Sequence, residues 1–252
     1  MAIYDRPVRL LMREMIDDLA PDAASVFTRR DALNWFAERY PKVKDGTVSA
    51  HLLRFSTNSK SRHHYSPRSD EATLYQFDGG RFRRYDPATD PPPLDSQDPA
   101  DTADVNDDDS SVEPSKFAYE SDLRDFLARH LTIIEPGLQL YEDEGITGVE
   151  FPVGGRFADL LAVDARGCLI VIELKVSRGY DRVVGQLLRY MAWIRAHQAE
   201  AGQCVRGMII AREISEDLRL ACSSISDVEL LEYELAVTLR RVAIGAPATP
   251  RE

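Results

Sequence analysis

Apolar positions at helical spacing open the chain. Leu10, Leu11, Met15, Ile16 and Leu19 recur with the period of a helix over residues 6–19, and Pro21 ends it. Thr28 can cap a second helix whose apolar side is Leu33, Trp35, Phe36 and Tyr40, and Pro41 stops it. Thr47 can cap a third that runs through Phe55. Two short β-prone runs, Ala72 to Phe77 and Arg81 to Tyr85, flank Asp78-Gly79-Gly80 and predict a hairpin. Three short helices and a hairpin predict a small winged-helix domain over residues 1–85.

The pattern then breaks and resumes in a different form. Residues 86–115 contain almost nothing that can pack. From Phe117 a helix is expected over Tyr119 to Leu131, then extended pieces at Leu138 to Glu142, Glu150 to Val153 and Phe157 to Val163. Asp164-Ala165-Arg166-Gly167 reads as a hairpin turn. Cys168 to Val176 (CLIVIELKV) is apolar enough for a central strand. A long amphipathic helix over Asp181 to Gln198 follows, then a strand at Val205 to Ala211, a helix capped by Ser215, and strands at Val228 to Tyr233 and Ala236 to Val242. This order predicts an α/β/α layered domain over residues 116–244, with a short tail at 245–252.

Charge becomes informative only when divided. The net charge of -11 suits no nucleic-acid partner. Residues 1–85 hold 15 basic and 11 acidic residues, however, and residues 86–115 hold 10 acidic and no basic ones. The acidic charge sits in a Pro-, Asp- and Ser-rich stretch that reads as an extended linker. An acidic strip that competes with DNA for a basic face is a lesser reading of the same stretch. Residues 40–85 are basic, and Lys42, Lys44, Ser49, His51, Arg54, Asn58, Lys60, Arg62, Arg81, Arg83 and Arg84 are the candidate DNA contacts. No apolar run is long enough for a membrane span. Cys168, Cys204 and Cys222 are far apart in sequence and form no CxxC pair, so a disulfide framework is not expected, and the chain reads as reduced and cytoplasmic.

The candidate chemistry lies in the apolar strands. Glu173 and Lys175 are two residues apart and share one face. The turn at Asp164–Gly167 brings Asp159 alongside Glu173. Two carboxylates and an ammonium on an apolar sheet are costly unless they bind one another or a cation, and a hard divalent metal relieves the repulsion between carboxylates. A phosphodiester-cleaving centre makes this demand.

These residues carry a family resemblance. GGRFADLLAVD (154–164), LIVIELKVSRG (169–179) and VGQLLRYMAWI (184–194) resemble the PD-(D/E)XK nuclease superfamily, and more closely the C-terminal nuclease domain of NucS-type endonucleases. The resemblance covers about residues 117–242 and implies a restriction-endonuclease-like α/β/α fold. It implies Asp159 as the metal-binding aspartate, Glu173 and Lys175 as the ExK pair, Gln186 and Tyr190 as the QxxxY motif, and Glu120 as the acidic residue of the first helix that completes the metal site. The metal is expected to be Mg²⁺, with Mn²⁺ also acceptable to oxygen ligands. One departure matters: NucS-type enzymes carry a β-rich N-terminal domain, where this chain predicts a winged helix.

The expected function is a Mg²⁺-dependent DNA endonuclease of restriction type, with modification dependence open. A mismatch- or structure-specific repair nuclease stands beside it. A non-cleaving DNA-binding regulator, or a winged helix that binds protein instead of DNA, are the readings from other classes. Double-strand cutting would need two centres, so a homodimer is expected.

Overall fold

Residues Leu169–Lys175 (LIVIELK) are apolar on both sides, as a strand covered on two faces must be. In the computed structural model, which describes residues 4–77, 80–94, 114–175 and 181–234, this strand is the centre of the larger sheet.

The N-terminal domain consists of α1 (Val8–Leu19), β1 (Val26–Thr28), α2 (Arg29–Arg39), α3 (Asp45–Phe55), β2 (Leu74–Phe77) and β3 (Arg81–Arg84). The expected helices and hairpin are present, and β1 adds a third strand in the order β1-β3-β2. Thr28 caps α2 with a reciprocal pair: its hydroxyl accepts from Asp31 N–H while Asp31 accepts from Thr28 N–H. Thr47 does not cap α3. The helix begins two residues earlier, at Asp45, with Lys44 before it, and the Thr47 hydroxyl instead donates to Asp143 Oδ2 at 2.6 Å.

The C-terminal domain begins with α4 (Pro114–Arg129) and continues through the short strands β4 (Gln139–Leu140), β5 (Glu142–Asp143) and β6 (Ile146–Thr147). Then come β7 (Val149–Val153), β8 (Arg156–Val163), β9 (Leu169–Lys175), α5 (Asp181–His197), β10 (Val205–Ala211), α6 (Glu216–Cys222) and β11 (Val228–Glu232). The sheet runs β11-β10-β9-β8-β4, with β7 also paired to β8. The β8–β9 and β7–β8 pairs are antiparallel, and β9–β10 and β10–β11 are parallel, reached by crossovers through α5 and α6. Leu123 and Leu127 of α4 pack with Ile170, Ile172 and Leu174 on one face. Val183, Leu187, Met191 and Ile194 of α5 pack with Leu169, Val171 and Ile209 on the other. The expected α/β/α layering is therefore present. No helix among the described residues is long and apolar enough to cross a membrane.

The two domains share a core. Every residue from Gly46 to Phe55 is buried, because α3 is apolar on two sides. Val48, Leu52 and Phe55 pack into the N-terminal core, while Ala50 and Leu53 pack with Phe151 and Val153 of β7. Gly46 permits the close approach: a Cβ there would meet Gln198 Oε1 at 2.3 Å and the Phe151 ring at 2.8 Å. The picture of a reader on a flexible tether is corrected accordingly.

The acidic stretch is also partly placed. Asp86 to Leu94 fold back on the N-terminal domain, where Asp90 accepts from both Arg83 Nη atoms at 2.7 and 2.5 Å, and Leu94 N–H donates to Thr57 O at 2.8 Å. The rest of the expected linker, the strand at Ala236 to Val242 and the tail lie outside the described residues.

The cysteines overturn an expectation. Cys168 and Cys204 are joined, with Cα atoms 4.8 Å apart, and Cys222 alone is free and buried. The two are 36 residues apart in sequence, but β9 and β10 are neighbours paired at Leu169 and Val205, so the residues just before them meet. Cysteine usage thus gives no argument for a reducing compartment.

Candidate active site

Strand pairing assembles the site. β8 and β9 pair antiparallel with Leu160 opposite Ile172, and the same register sets Asp159 opposite Glu173. Leu174 N–H donates to Asp159 Oδ2 at 2.7 Å, which fixes that carboxylate. Glu173 is 1% exposed. Gln186, on the first turns of α5, donates through Nε2 to Glu173 Oε2 at 2.9 Å and to the Tyr190 hydroxyl at 3.2 Å. Lys175 Nζ lies 3.7 Å from Glu173 Oε2 and 3.6 Å from Glu120 Oε1. All six residues expected at the centre therefore lie in one connected group.

Burial dominates its electrostatics. Desolvation raises the Glu173 carboxyl well above its ordinary range, and the Asp159 charge pushes it further. Desolvation also raises Asp159 and Glu120. Burial would lower Lys175, but the charges of Asp159, Glu173 and Glu120 outweigh it and hold the ammonium protonated far above its ordinary value. Tyr190 is raised by burial and by Glu173, against the positive charges of Arg156 and Arg189.

No group of three or more His, Cys, Asp or Glu among the described residues is arranged to hold a metal ion. Lys175 pairs with Glu120 and Glu173 alike. The oxygen donors that remain together are Asp159 and Glu173. Glu173 Oε1 is buried and has no hydrogen-bond partner, while Oε2 is held by Gln186. An unpaired, buried carboxylate oxygen beside a second carboxylate suits a hard divalent cation.

The candidate DNA contacts fare differently. Ser49, His51, Arg54 and Arg62 are buried in or beside α3, because that helix faces the C-terminal domain instead of solvent. Arg54 pairs with Glu71 at 2.8 Å and donates to Gly145 O, and Lys44 pairs with Glu200 at 2.9 Å. Asn58 spends its amide on the backbone of Gln76, at 2.6 and 2.9 Å. Arg83 is engaged by Asp90, and Arg84 by Asp17 and the Ala20 carbonyl. Lys42 and Arg81 are exposed, with Arg81 over the Phe77 ring at 4.8 Å, and Lys60 is half-buried.

The seam itself was missed. Asp143, Glu144 and Glu150 anchor the N-terminal domain. Glu144 accepts from Val8 N–H at 3.2 Å. Glu150 is bound by Ser61 at 2.6 Å and by Arg124, with His64 Nε2 at 3.5 Å, and its carbonyl accepts from Tyr65 OH at 2.9 Å. Burial would raise the Glu150 carboxyl, but His64, Arg124 and Ser61 bring it down to about 2. A glutamate inside the apolar run Val149–Val153 was the available signal.

Comparison with known proteins bears on this geometry. Residues 119–235 match the model of the endonuclease NucS C-terminal domain. The C-terminal domain is NucS-like. Residues 7–84 match a separate domain family of unknown function, DUF7669. An endonuclease NucS of Methanopyrus kandleri is 30% identical over 105 residues, covering 42% of this chain and 37% of that protein. One of Sulfolobus acidocaldarius is 32% identical over 111 residues, covering 43% and 40%. The chain thus spans about two fifths of the length of these curated relatives. A repair endonuclease structure from Pyrococcus abyssi aligns with a TM-score of 0.38 at 22% identity, over 50% of this chain and 49% of that one. An EndoMS–dsDNA complex aligns with a TM-score of 0.39 at 22% identity, over 52% and 51%. The match to the NucS-like domain stops short of α1–α3, where this chain has its DUF7669 segment.

Proposed function

We propose that the protein is a divalent-metal-dependent DNA endonuclease. The observation that carries the reading is half-buried Asp159 opposite buried Glu173, with Glu173 Oε1 unpartnered, Lys175 beside it and Gln186 holding the other oxygen. Asp159 and Glu173 would hold the metal, Mg²⁺ in the first instance. When bound there, such an ion polarises a phosphate oxygen and lowers the pKa of water.

The chain's own residues do the rest. Gln186 orients Glu173, and Tyr190 fixes Gln186 in turn. Lys175 stays charged, so it neutralises negative charge developing on a phosphate and can position an attacking water. Glu120 restrains Lys175 from the α4 side. The preserved set disfavours a non-cleaving regulator.

The relatives by sequence are NucS endonucleases, and action on mismatched or branched DNA in repair is the class we favour. The restriction reading rests on a DNA-reading domain joined to a nuclease domain, and stands beside repair as the second class of action. A homodimer stays part of the proposal for double-strand cutting. Leu230 and Leu231 of β11 pack against the cores on the two sheet faces.

The test is cleavage of duplex, mismatched and branched DNA with Mg²⁺ or Mn²⁺, beside EDTA and Lys175→Ala. Products that need the metal and disappear in the variant support the reading. Tight DNA binding with no cleavage of any substrate would transfer it to a regulator.

A further inference from the structure

About half of the arginines among the described residues have an acid beside them. Arg54 pairs with Glu71, Arg83 with Asp90, Arg124 with Glu150, and Arg206 with Glu135 and Asp164. Arg29, Arg156 and Arg189 are among those with no side-chain hydrogen bond or ion pair in the described residues; Arg29 Nη1 lies by Gly155, the neighbour of Arg156, and the charges of Arg156 and Arg189 both act on Tyr190.

Arg29 is the least compensated. It begins α2, is half-buried at the domain seam, and its Nε is buried without a hydrogen-bond partner. Burial is the one influence on its acidity, and it acts against the charge. A guanidinium that has lost water and gained no anion is unfavourable as it stands. Its Nη1 lies over the turn between β7 and β8, where a Cβ on Gly155 would come within 3.2 Å. Gly154 and Gly155 both have positive φ, 58° and 89°, so this turn presents bare backbone. Arg156 follows directly and is exposed, as is Arg189 on α5. The charges of both reach the Tyr190 hydroxyl, which accepts from Gln186, the residue that holds Glu173. Arg156, beside the turn that Arg29 overlies, and Arg189 are thus within electrostatic reach of the hydrogen-bonded group that holds Glu173.

We propose that Arg29 of the N-terminal domain, with Arg156 and Arg189 of the NucS-like domain, forms one phosphate-binding ridge that receives the backbone of duplex DNA beside the carboxylate site. The inference rests on the endonuclease reading and adds where the DNA lies and how the N-terminal domain touches it: through the start of α2 instead of α3. A phosphate supplies the anion that Arg29 lacks, and the planar guanidinium fork matches it. The glycine turn leaves room for the sugar-phosphate chain to approach. Docking by α3 holds the arginines of both domains in fixed register.

The experiment measures binding of a fluorescein-labelled DNA duplex by the full chain in EDTA, across a salt series. Arg29→Gln, Arg156→Gln and Arg189→Gln are each expected to weaken binding about tenfold and to reduce the salt slope by about one. Arg29→Lys restores part of the affinity, since charge returns without the fork. Arg219→Gln on α6 serves as the control and binds as wild type. Thermal melting separates misfolding from lost contact, and the exposed Arg156 and Arg189 carry the test if Arg29→Gln unfolds. Wild-type binding with unchanged affinity and slope in the folded variants overturns the ridge alone. A wild-type chain that binds no duplex overturns the ridge and the endonuclease reading together.

Discussion

Glu150, partly buried, and Glu173, fully buried, are two glutamates of one domain with opposite fates. Glu150 has Ser61, Arg124 and His64 around its carboxylate and stays ionised, down to about pH 2. Glu173 has one amide on one oxygen, a second carboxylate opposite, and a free Oε1, and its carboxyl is pushed far upward. Burial raises both carboxyls, more completely at Glu173, and the partners decide the outcome. A buried acid whose lone pairs are filled holds a structure together. One left half-filled is poised for a ligand. The seam and the active site are distinguished by hydrogen-bond saturation, a property that neither composition nor depth reveals.

The strongest way to test the contrast is to remove each charge. Glu173→Gln keeps the shape and removes the repulsion with Asp159. It should leave the fold intact or stabilise it by about 1 kcal/mol, while cleavage falls by about a thousandfold or more. Single-turnover cleavage together with urea unfolding checks both halves. Glu150→Ala should do the reverse. It strands the buried Arg124 charge and frees Ser61, at a cost of about 3–5 kcal/mol. Loss of activity there should follow the folded fraction. If Glu173→Gln destabilised the protein as much as Glu150→Ala, the distinction between the two acids would fail.

A disulfide tests the sheet from another side. The bond between Cys168 and Cys204 ties the starts of β9 and β10, the strands that lead toward the site. Cys204→Ser should cost about 2–4 kcal/mol in an oxidising buffer and nothing further in a reducing one. Denaturant midpoints with and without reductant give the answer. A midpoint insensitive to both would mean that the thiols are not joined in solution.

The candidate site was legible because its parts are local or one hairpin apart. CLIVIELKV declares a buried strand with two polar interruptions, and the turn at Asp164–Gly167 is short enough to fix the register of Asp159 against Glu173. Gln186 and Tyr190 are one helical turn apart and need no long-range knowledge. The seam was not legible for the opposite reason. Ala50 meets Phe151 across about a hundred residues, and small residues such as Gly46, Ser49 and Ala50 look the same on a solvated recognition helix as on a packed one. Basic residues in residues 40–85 were counted correctly as charges. Their acids, such as Glu71 and Asp90, lie in separate elements, so the pairing that neutralises them is visible only in three dimensions. Cys168 and Cys204 illustrate the same gap, since parallel strands align residues that an intervening helix separates in sequence.

His51 offers the smallest and most selective test of the seam. It is wholly buried on α3, with both ring nitrogens unpartnered, and burial followed by the Arg54 charge lowers it from 6.5 to about 3. The unfolded chain takes up a proton on this side chain as pH falls below 6.5, and the folded chain does not until about 3. Stability therefore falls as pH drops through that window, by up to about 1.4 kcal/mol per unit once well below 6.5. Glu150 acts in a lower window: its stabilisation is complete above 4.5 and is lost as pH falls toward about 2. From pH 6.5 down to about 5 the His51 contribution is separable from that of Glu150. His51→Leu should flatten the unfolding free energy over that range by about 1–2 kcal/mol and leave the steeper loss below pH 4.5 in place. Urea titrations at closely spaced pH values resolve the difference. An unchanged slope in the variant would mean that the His51 ring is hydrated, and that α3 is not closed inside the seam.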